Sequence, residues 1–518
     1  MLTLKQPRYA TLGYLWSWLS NHIERAWMQF ADDALIIANN DKNAQVMINV
    51  FTVWCKWADM LIRIDKCSTF GMRKEKATYM QYLPNVFIDG TQIPQIGLDL
   101  DFVYLGKYFN FGMNQIQARR DVTEKLSHLL SRIIHLLIKP QTKLKVLKLA
   151  IFSKLKFDLK IYDFQHHWIS SVLDSEILLH IRQWLELPIS TCVTEICGLP
   201  LSKCGLNIPS LVEVASAQRL TTRHTLKHSK NSDIGQLWLD TSYKNISVDV
   251  HLEKSQNLNQ AKRSIKLGFE NAALSHVNSL QIQGASVNSL MQNLSSKLIS
   301  NWAKLLTTLS ATLFCFTRKG LQQQLATSSN LHRWGKGTTP LCLLCKQPQT
   351  NKHVLNNCAA PVALERYTIR HDAVLQIICN WLKQHIPQSD TLHADLSGGD
   401  YKPVGDVFND LRPDIVIVSG SKIHVLELTI CHETNLENSR KYKTTKYNNI
   451  RDKRKEAFLC RQVELFTVEV TSLGLMQDLT DFTTSLTIPK LPDSVYKDIV
   501  HSVIINSYGI YRNRNNNS

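Results

Sequence analysis

The stretch from Leu411 to Tyr447, LRPDIVIVSGSKIHVLELTICHETNLENSRKYKTTKY, limits the possible folds more than any other. Asp414 opens an apolar run, Ile415 to Val418, and a polar turn, Ser419 to Lys422, follows it. A second β-rich run, Ile423 to Ile430, carries a single acid, Glu427. Short apolar runs separated by a glycine-containing turn predict paired strands. Lys443 and Lys446 come next, in a polar segment read as helix. Two acids on the ends of paired strands, with a lysine close by, suit metal-dependent cleavage of a phosphodiester. The acids can hold Mg²⁺, which orients water and stabilises charge on the phosphate. The lysine can position that water or neutralise developing charge. Alone, the stretch also reads as a hairpin with ordinary solvated charges, so the rest of the chain has to decide.

The length, 518 residues, suggests about three domains. Lys and Arg number 60 against 43 Asp and Glu, a net charge of +17. Such an excess calls for a polyanionic partner, nucleic acid first and a membrane surface second. No apolar run reaches the roughly 18 residues needed to span a bilayer. The N-terminal MLTLKQPRYATLGYLW lacks the pattern of a secretory signal. Most of the 12 cysteines are scattered, as in a reduced intracellular protein. Cys342-x2-Cys345-x7-His353-x4-Cys358 is different. Three thiolates and an imidazole within one short segment suit tetrahedral Zn²⁺. All four positions are filled by protein, which predicts a structural site. Cys192, Cys197 and Cys204 read as buried hydrophobes.

Along the chain, Ala26 to Ala38 (AWMQFADDALIIA) reads as two apolar strands closed by an acidic turn. Residues 42–65 have helical spacing, with Val46, Val50, Val53, Trp54 and Trp57 as the apolar face. Val86 to Ile88 predicts a strand, with Asp89-Gly90 as a hairpin turn. Val103 to Phe109 predicts another strand. Residues 113–160 are helical and basic, and 161–335 are mostly helical. A short helix is expected near 365–383, and a strand from Val463 to Val470 would extend the sheet. The Asn/Arg-rich end, Tyr511 to Ser518, reads as disordered.

The pattern Arg412-Pro413-Asp414 … Glu427 resembles the restriction-like endonuclease of R2-type non-LTR retrotransposons, a branch of the PD-(D/E)xK nucleases. In the commoner PD-(D/E)xK form, a lysine stands where this chain has Thr429. The retrotransposon branch moves the lysine onto a later helix in a K-x-x-K-Y pattern, which Lys443-Thr444-Thr445-Lys446-Tyr447 matches. Phe30-Ala31-Asp32-Asp33 resembles the F/Y-x-D-D box of reverse transcriptases, and Lys66 and Tyr104-Leu105-Gly106 resemble the elements that follow it. The cysteine–histidine cluster resembles the CCHC motif that R2-type elements carry between polymerase and endonuclease. All three groups stand in the family's order.

The resemblance implies a set of roles. Asp414 and Glu427 would bind catalytic Mg²⁺, with the Leu428 carbonyl as a third ligand. Lys443 is the first choice for the water-positioning cation and Lys446 the second. Arg370 is a phosphate-contact candidate and Asp372 a candidate extra acid, whereas His371 is expected to be structural. Tyr447 would pack or touch phosphate. Asp32 and Asp33 would hold polymerase Mg²⁺, and Lys66 would lie near the nucleotide phosphates. Lys143, Lys145 and Lys148 belong to basic helices that would track a nucleic-acid backbone. Reverse transcriptases need a further aspartate and a template-aligning helix well before the F/Y-x-D-D box. Neither is readable here, so the chain alone is expected not to polymerise.

The expected fold is α+β and multidomain. Residues 1–112 would be a partial reverse-transcriptase palm, 113–225 a helical thumb and start of linker, and 226–335 a helical linker. Residues 336–362 would be the CCHC zinc knuckle, 363–480 an α/β restriction-like endonuclease and 481–518 a C-terminal tail. The expected activity is Mg²⁺-dependent nicking of target DNA for reverse transcription of element RNA, in a nucleus if the host is eukaryotic. Arg451 to Lys455 is a weak import signal. A catalytically dead or host-adopted nucleic-acid-binding relic is the alternative. A PD-(D/E)xK repair enzyme is disfavoured by the upstream F/Y-x-D-D box.

Overall fold

The computed structural model describes the chain apart from residues 1–13, 17–22, 26, 233, 236–237, 240–248, 397–410, 421, 454–461 and 517–518. Helices and small sheets are mixed, as expected of an α+β chain. The chain forms two compact units. The first takes residues 1–134, 149–175 and 211–267, and the second takes 135–148, 176–210 and 268–518. The units interleave along the sequence, so the contiguous limits expected at 112, 225 and 335 are not theirs. Contacts between distant residues cause this. In the first unit, Asp174 accepts the Leu211 amide at 2.6 Å and so caps the helix Leu211–Lys227, which packs on Phe152–Ile161. In the second, Lys148 donates to the Asn207 carbonyl at 2.6 Å and the buried Arg318 to that of Cys204 at 2.9 Å. Composition does not mark such partners.

The first unit carries hairpins. Trp27–Phe30 and Asp33–Ile36 pair antiparallel across Ala31-Asp32, with Phe30 opposite Asp33. Asp89 and Gly90 both have positive φ, 46° and 80°, as the tight turn between Phe87–Ile88 and Thr91–Gln92 requires. Val103 to Phe109 is not one strand. Leu105 and Gly106 also have positive φ, 50° and 75°, and fold Phe102–Tyr104 back on Lys107–Phe109. The helix Asp41–Trp57 starts where the Asn40 side chain accepts the Asn43 amide. Its buried residues are Met47, Ile48, Thr52 and Cys55. Val46, Val53 and Trp57, expected inside, are exposed. This helix is apolar on more than one side, so periodicity alone could not choose the buried face.

The second unit holds a four-stranded sheet. Its strands are β1 (Thr391–Ala394), β2 (Ile415–Ser419), β3 (Lys422–Cys431) and β4 (Gln462–Thr471), in the order β1-β2-β3-β4. The first two pairings are antiparallel and β3–β4 is parallel. Three helices flank it: α1 (Pro361–His385), α2 (Leu436–Lys453) and α3 (Asp493–Arg512). The α1 helix is longer than expected, and Pro361 at its first turn fits its start. Ile415, Ile417, Leu426, Leu428, Val468 and Val470 face one core, with Val374 and Ile378 of α1 and Ile499 and Val503 of α3. Val416, Ile423 and Val425 face the other, closed by Tyr447 of α2. Side chains alternate across a strand, so Glu427 points to the α2 side with Val425.

The C-terminal segment is no tail. Ile499, Val500, Val503 and Ile504 of α3 are fully buried. Beyond α3, Arg514 donates to the Ala326 carbonyl at 2.8 Å and Gln349 to the Asn515 side chain at 2.9 Å. The run of Asn and Arg read as disordered is tied down through at least Asn516 by such bonds, including one from Arg366 to the Asn516 carbonyl. No described helix is long and apolar enough to cross a membrane.

Candidate active site and metal centre

Strand register brings the two acids together. Ile415 pairs with Leu426, which sets Asp414, just before β2, beside Glu427. Two backbone bonds fix them crosswise. The Asp414 amide donates to Glu427 Oε1 at 3.2 Å, and the Leu428 amide donates to Asp414 Oδ2 at 2.7 Å. Lys443 of α2 reaches both, with Nζ 2.6 Å from Glu427 Oε2 and 3.6 Å from Asp414 Oδ2. Glu427 is 0% exposed and Asp414 9%.

Burial and charge push these groups in different directions. Burial, and then the Asp414 charge, raise the Glu427 pKa, and Lys443 only partly offsets them. Burial acts to raise Asp414 as well, but His371, Lys443 and the Leu428 amide outweigh it and hold its pKa low. Burial opposes the charged form of Lys443, yet Asp414 and Glu427 together raise its pKa. Oppositely displaced carboxylates are characteristic of functional sites.

His371, expected to be structural, stands against the acid pair. Its Nε2 lies 3.5 Å from Asp414 Oδ1 and its Nδ1 3.2 Å from Asp372 Oδ1. Burial opposes its charge, but the two aspartates outweigh burial and raise its pKa. Asp372 thus touches the histidine rather than the acid pair. Arg370 is the converse. It is buried, donating to Ser507 Oγ at 2.9 Å and to the Leu355 carbonyl at 2.8 Å, so it ties α1 to α3 and does not present its charge to phosphate. Burial lowers its pKa to about 10. Tyr447 packs in the core, its hydroxyl 3.3 Å from the Arg412 carbonyl. Lys446 is exposed; its Nζ donates to the Tyr447 hydroxyl at 3.3 Å and lies over that ring at 4.9 Å, and the same hydroxyl hydrogen-bonds Glu427.

One pair escaped the sequence reading. Arg440 Nε is 3.3 Å from Oε2 of Glu469, which is wholly buried on β4. Burial raises the Glu469 pKa against the pull of Arg440. Arg440 stands one helical turn before Lys443, so α2 meets two adjacent strands with two cations, each on an acid. The available signal was an acid, Glu469, between the apolar Val468 and Val470 of a strand, much as Glu427 stands between Leu426 and Leu428.

The metal-ligand residues converge. The ligand atoms of Cys342, Cys345, His353 and Cys358 all lie within 4.8 Å of one another. Cys342 Sγ is 4.0 Å from Cys358 Sγ, Cys345 Sγ is 3.7 Å from Cys358 Sγ, and Cys345 Sγ is 3.3 Å from His353 Nε2. Tetrahedral zinc with bonds of about 2.0–2.3 Å needs ligand separations of this size. Lys346, with φ 60°, closes the first turn by donating to the Cys342 carbonyl at 3.0 Å. His353 opens a one-turn helix, His353–Asn357, that ends at Cys358. The Tyr367 hydroxyl of α1 pins this turn, accepting the Cys358 amide at 3.2 Å and reaching the Val354 carbonyl at 2.9 Å. The donor set can hold Zn²⁺.

The remaining expected residues lie in less enclosed settings. Asp32 and Asp33 are exposed at a hairpin tip, and Lys66 ends a one-turn helix, Ile64–Lys66. Among the described residues no third acid groups with the aspartate pair. Lys143 and Lys148 are half-buried, and Lys145 is exposed. The import signal at Arg451 to Lys455 falls largely outside the described residues.

Comparison with known proteins finds a similarity to an R2-type retrotransposon polyprotein. The chain is 26% identical over 216 residues to the retrovirus-related Pol polyprotein from type-2 retrotransposable element R2DM of Drosophila melanogaster. The match covers 41% of this chain and 20% of that protein. No family model matches the chain.

Proposed function

We propose that the second unit is a Mg²⁺-dependent endonuclease that nicks one strand of duplex target DNA. Hydrolysis would leave a 5′-phosphate and a 3′-OH, and in an intact element that 3′-OH primes copying of the element's RNA. The meeting of Asp414, Glu427 and Lys443 at the end of β2 carries this reading. Two carboxylates fixed side by side, one of them held in its charged form, fit a hard divalent cation. Mg²⁺ bound there supplies Lewis acidity toward the phosphate and orients the attacking water. The chain's own residues do the rest. The Leu428 amide and His371 hold the two Asp414 oxygens, and Asp372 orients the His371 ring. Lys443 keeps a positive charge beside the acids, where it can position water and neutralise the transition state.

The zinc knuckle is structural in this account, and Lys143, Lys145 and Lys148 contribute backbone contacts that position without specifying sequence. The Asp32–Asp33 pair, exposed and with no third acid grouped with it among the described residues, does not polymerise in this reading. Work on chromosomal DNA places the protein in the nucleus of a eukaryotic host. Supercoiled plasmid incubated with the full chain and Mg²⁺ should become open-circular, with a nick that a DNA polymerase extends directly. A nick that is extended only after 3′-phosphate removal contradicts the proposed chemistry.

A further inference from the structure

Asp414 has an acid on each neighbouring strand. Glu427 flanks it on β3, and Asp395, just past β1, flanks it on the other side. Ala394 pairs with Ile415, so Asp395 comes opposite Asp414, and its amide donates to the Asp414 carbonyl at 2.9 Å. The Asp395 carboxylate is turned to a cation that the acid pair does not use. Its Oδ1 lies 2.5 Å from Nη2 of Arg412. Arg412 stands two residues before Asp414, and its carbonyl lies 3.3 Å from the Tyr447 hydroxyl. The tyrosine that hydrogen-bonds Glu427 thus also holds the backbone of Arg412.

The cations around the acids are unequal. Arg370 is buried against Ser507 and Leu355, and Lys443 is held on Glu427. The Arg412 side chain is 67% exposed, against 18% for that of Lys443. Two residues of extended chain span at most about 7 Å, so a strand with one phosphodiester at Asp414 brings a neighbouring phosphate within reach of Arg412. The planar fork of a guanidinium matches phosphate oxygens as well as it matches a carboxylate.

We propose that Asp395 holds Arg412 in place of DNA, and that a backbone phosphate next to the scissile one displaces the carboxylate and takes over the guanidinium. The inference rests on the endonuclease reading and adds to it a substrate-positioning residue, Arg412, and a built-in competitor for it, Asp395. Two observations favour exchange over a fixed structural pair. The pair lies at the surface, where ion pairs are weak and yield to a better anion. The Asp395 side chain is itself 26% exposed, so water receives the carboxylate once it is released. A buried pair such as Lys443 and Glu427 has no such outlet.

The test measures binding of the full chain to a short fluorescent DNA duplex by anisotropy, without added Mg²⁺ so that no strand is cut, over a series of salt concentrations. Arg412→Gln should weaken binding about five- to tenfold and lower the slope of log affinity against log salt by about one, as loss of one phosphate contact requires. Asp395→Asn should act in the opposite direction and tighten binding about two- to fivefold, the range set by an exposed ion pair that no longer has to break. Added to Arg412→Gln, the same change should have no effect, because the carboxylate then has no guanidinium to hold. Melting temperatures should stay at the wild-type value. Weaker binding in both single variants would make the pair a fixed structural contact and overturn the proposal. So would an unchanged salt slope in Arg412→Gln, or an Asp395→Asn gain that persists without Arg412, which is plain charge repulsion. Glu427→Ala separates the two readings. It should abolish nicking and leave these shifts in binding intact, so lost nicking and lost exchange report on different claims.

Discussion

Asp414 and Glu427 meet beneath a helix, on a sheet covered on both faces, whereas Asp32 and Asp33 stand on the tip of a two-stranded hairpin. Both pairs sit where strands end. Glu427 is fully buried and Phe30, beside the hairpin acids, is 66% exposed. Enclosure gives the first pair its chemistry. Water screens charges on a hairpin tip, whereas in the second unit burial strengthens every charge interaction. There a lysine, a histidine and a backbone amide are aimed at the acids, and the two carboxyl pKa values move apart. The difference teaches that acids at a strand end become a site only when other elements close over them. In this chain α1 and α2 do that for one pair.

The comparison can be broken most sharply at its charged centre. Asp414→Ala or Lys443→Met should lower plasmid nicking by at least about a thousandfold while salt-sensitive DNA binding persists, since each removes a group aimed at the reacting phosphate. A smaller loss, read from initial rates on gels, would show that the enclosed trio is not the reactive centre. The zinc knuckle comes next. Cys345→Ser should lose bound zinc, measured by atomic absorption, and lower thermal stability by several degrees, because structural zinc contributes folding free energy. Through the Tyr367 and Arg370 links to α1, nicking should fall with it.

Glu469→Gln tests whether the second charge pair seats α2. Breaking a buried pair from one side costs about 3–5 kcal/mol, but the Arg440 side chain is 46% exposed, so about 1–2 kcal/mol is expected here. Nicking should drop about tenfold as Lys443 loses register, a cost in rate larger than in DNA affinity. An unchanged rate with lowered stability would make the pair merely structural. The smallest effect belongs to the other acid pair. Asp32→Ala should change stability by no more than about 0.5 kcal/mol and leave nicking as it was, as for an exposed surface acid.

Where function lies in local spacing, the sequence was informative. The Cys342 to Cys358 spacing predicts a four-ligand cluster because a tight turn and a one-turn helix leave little freedom in where the ligands go. The apolar runs around Asp414 and Glu427 predict two strands, and strand pairing then puts the acids side by side. Other features depend on chain segments far apart. His371 became a partner of Asp414 only because α1 lies against the end of β2. Arg370, its neighbour, points the other way, to Ser507 and Leu355, and nothing in Arg-His-Asp distinguishes the two fates. The burial of α3 was hidden by the polar residues that follow it. The exposed Val53 and Trp57 show the limit of periodicity on a helix that is apolar on several sides.

One measurement tests the central claim most directly: nicking of supercoiled plasmid by the full chain, in Mg²⁺ and in EDTA, for wild type and Glu427→Ala. The account predicts open-circular product in Mg²⁺ with the wild type alone, and none in EDTA or with the variant. Nicking that survives in folded Glu427→Ala, or a folded, zinc-loaded wild type that never nicks, would contradict it. The second result would leave a nucleic-acid-binding relic as the better description.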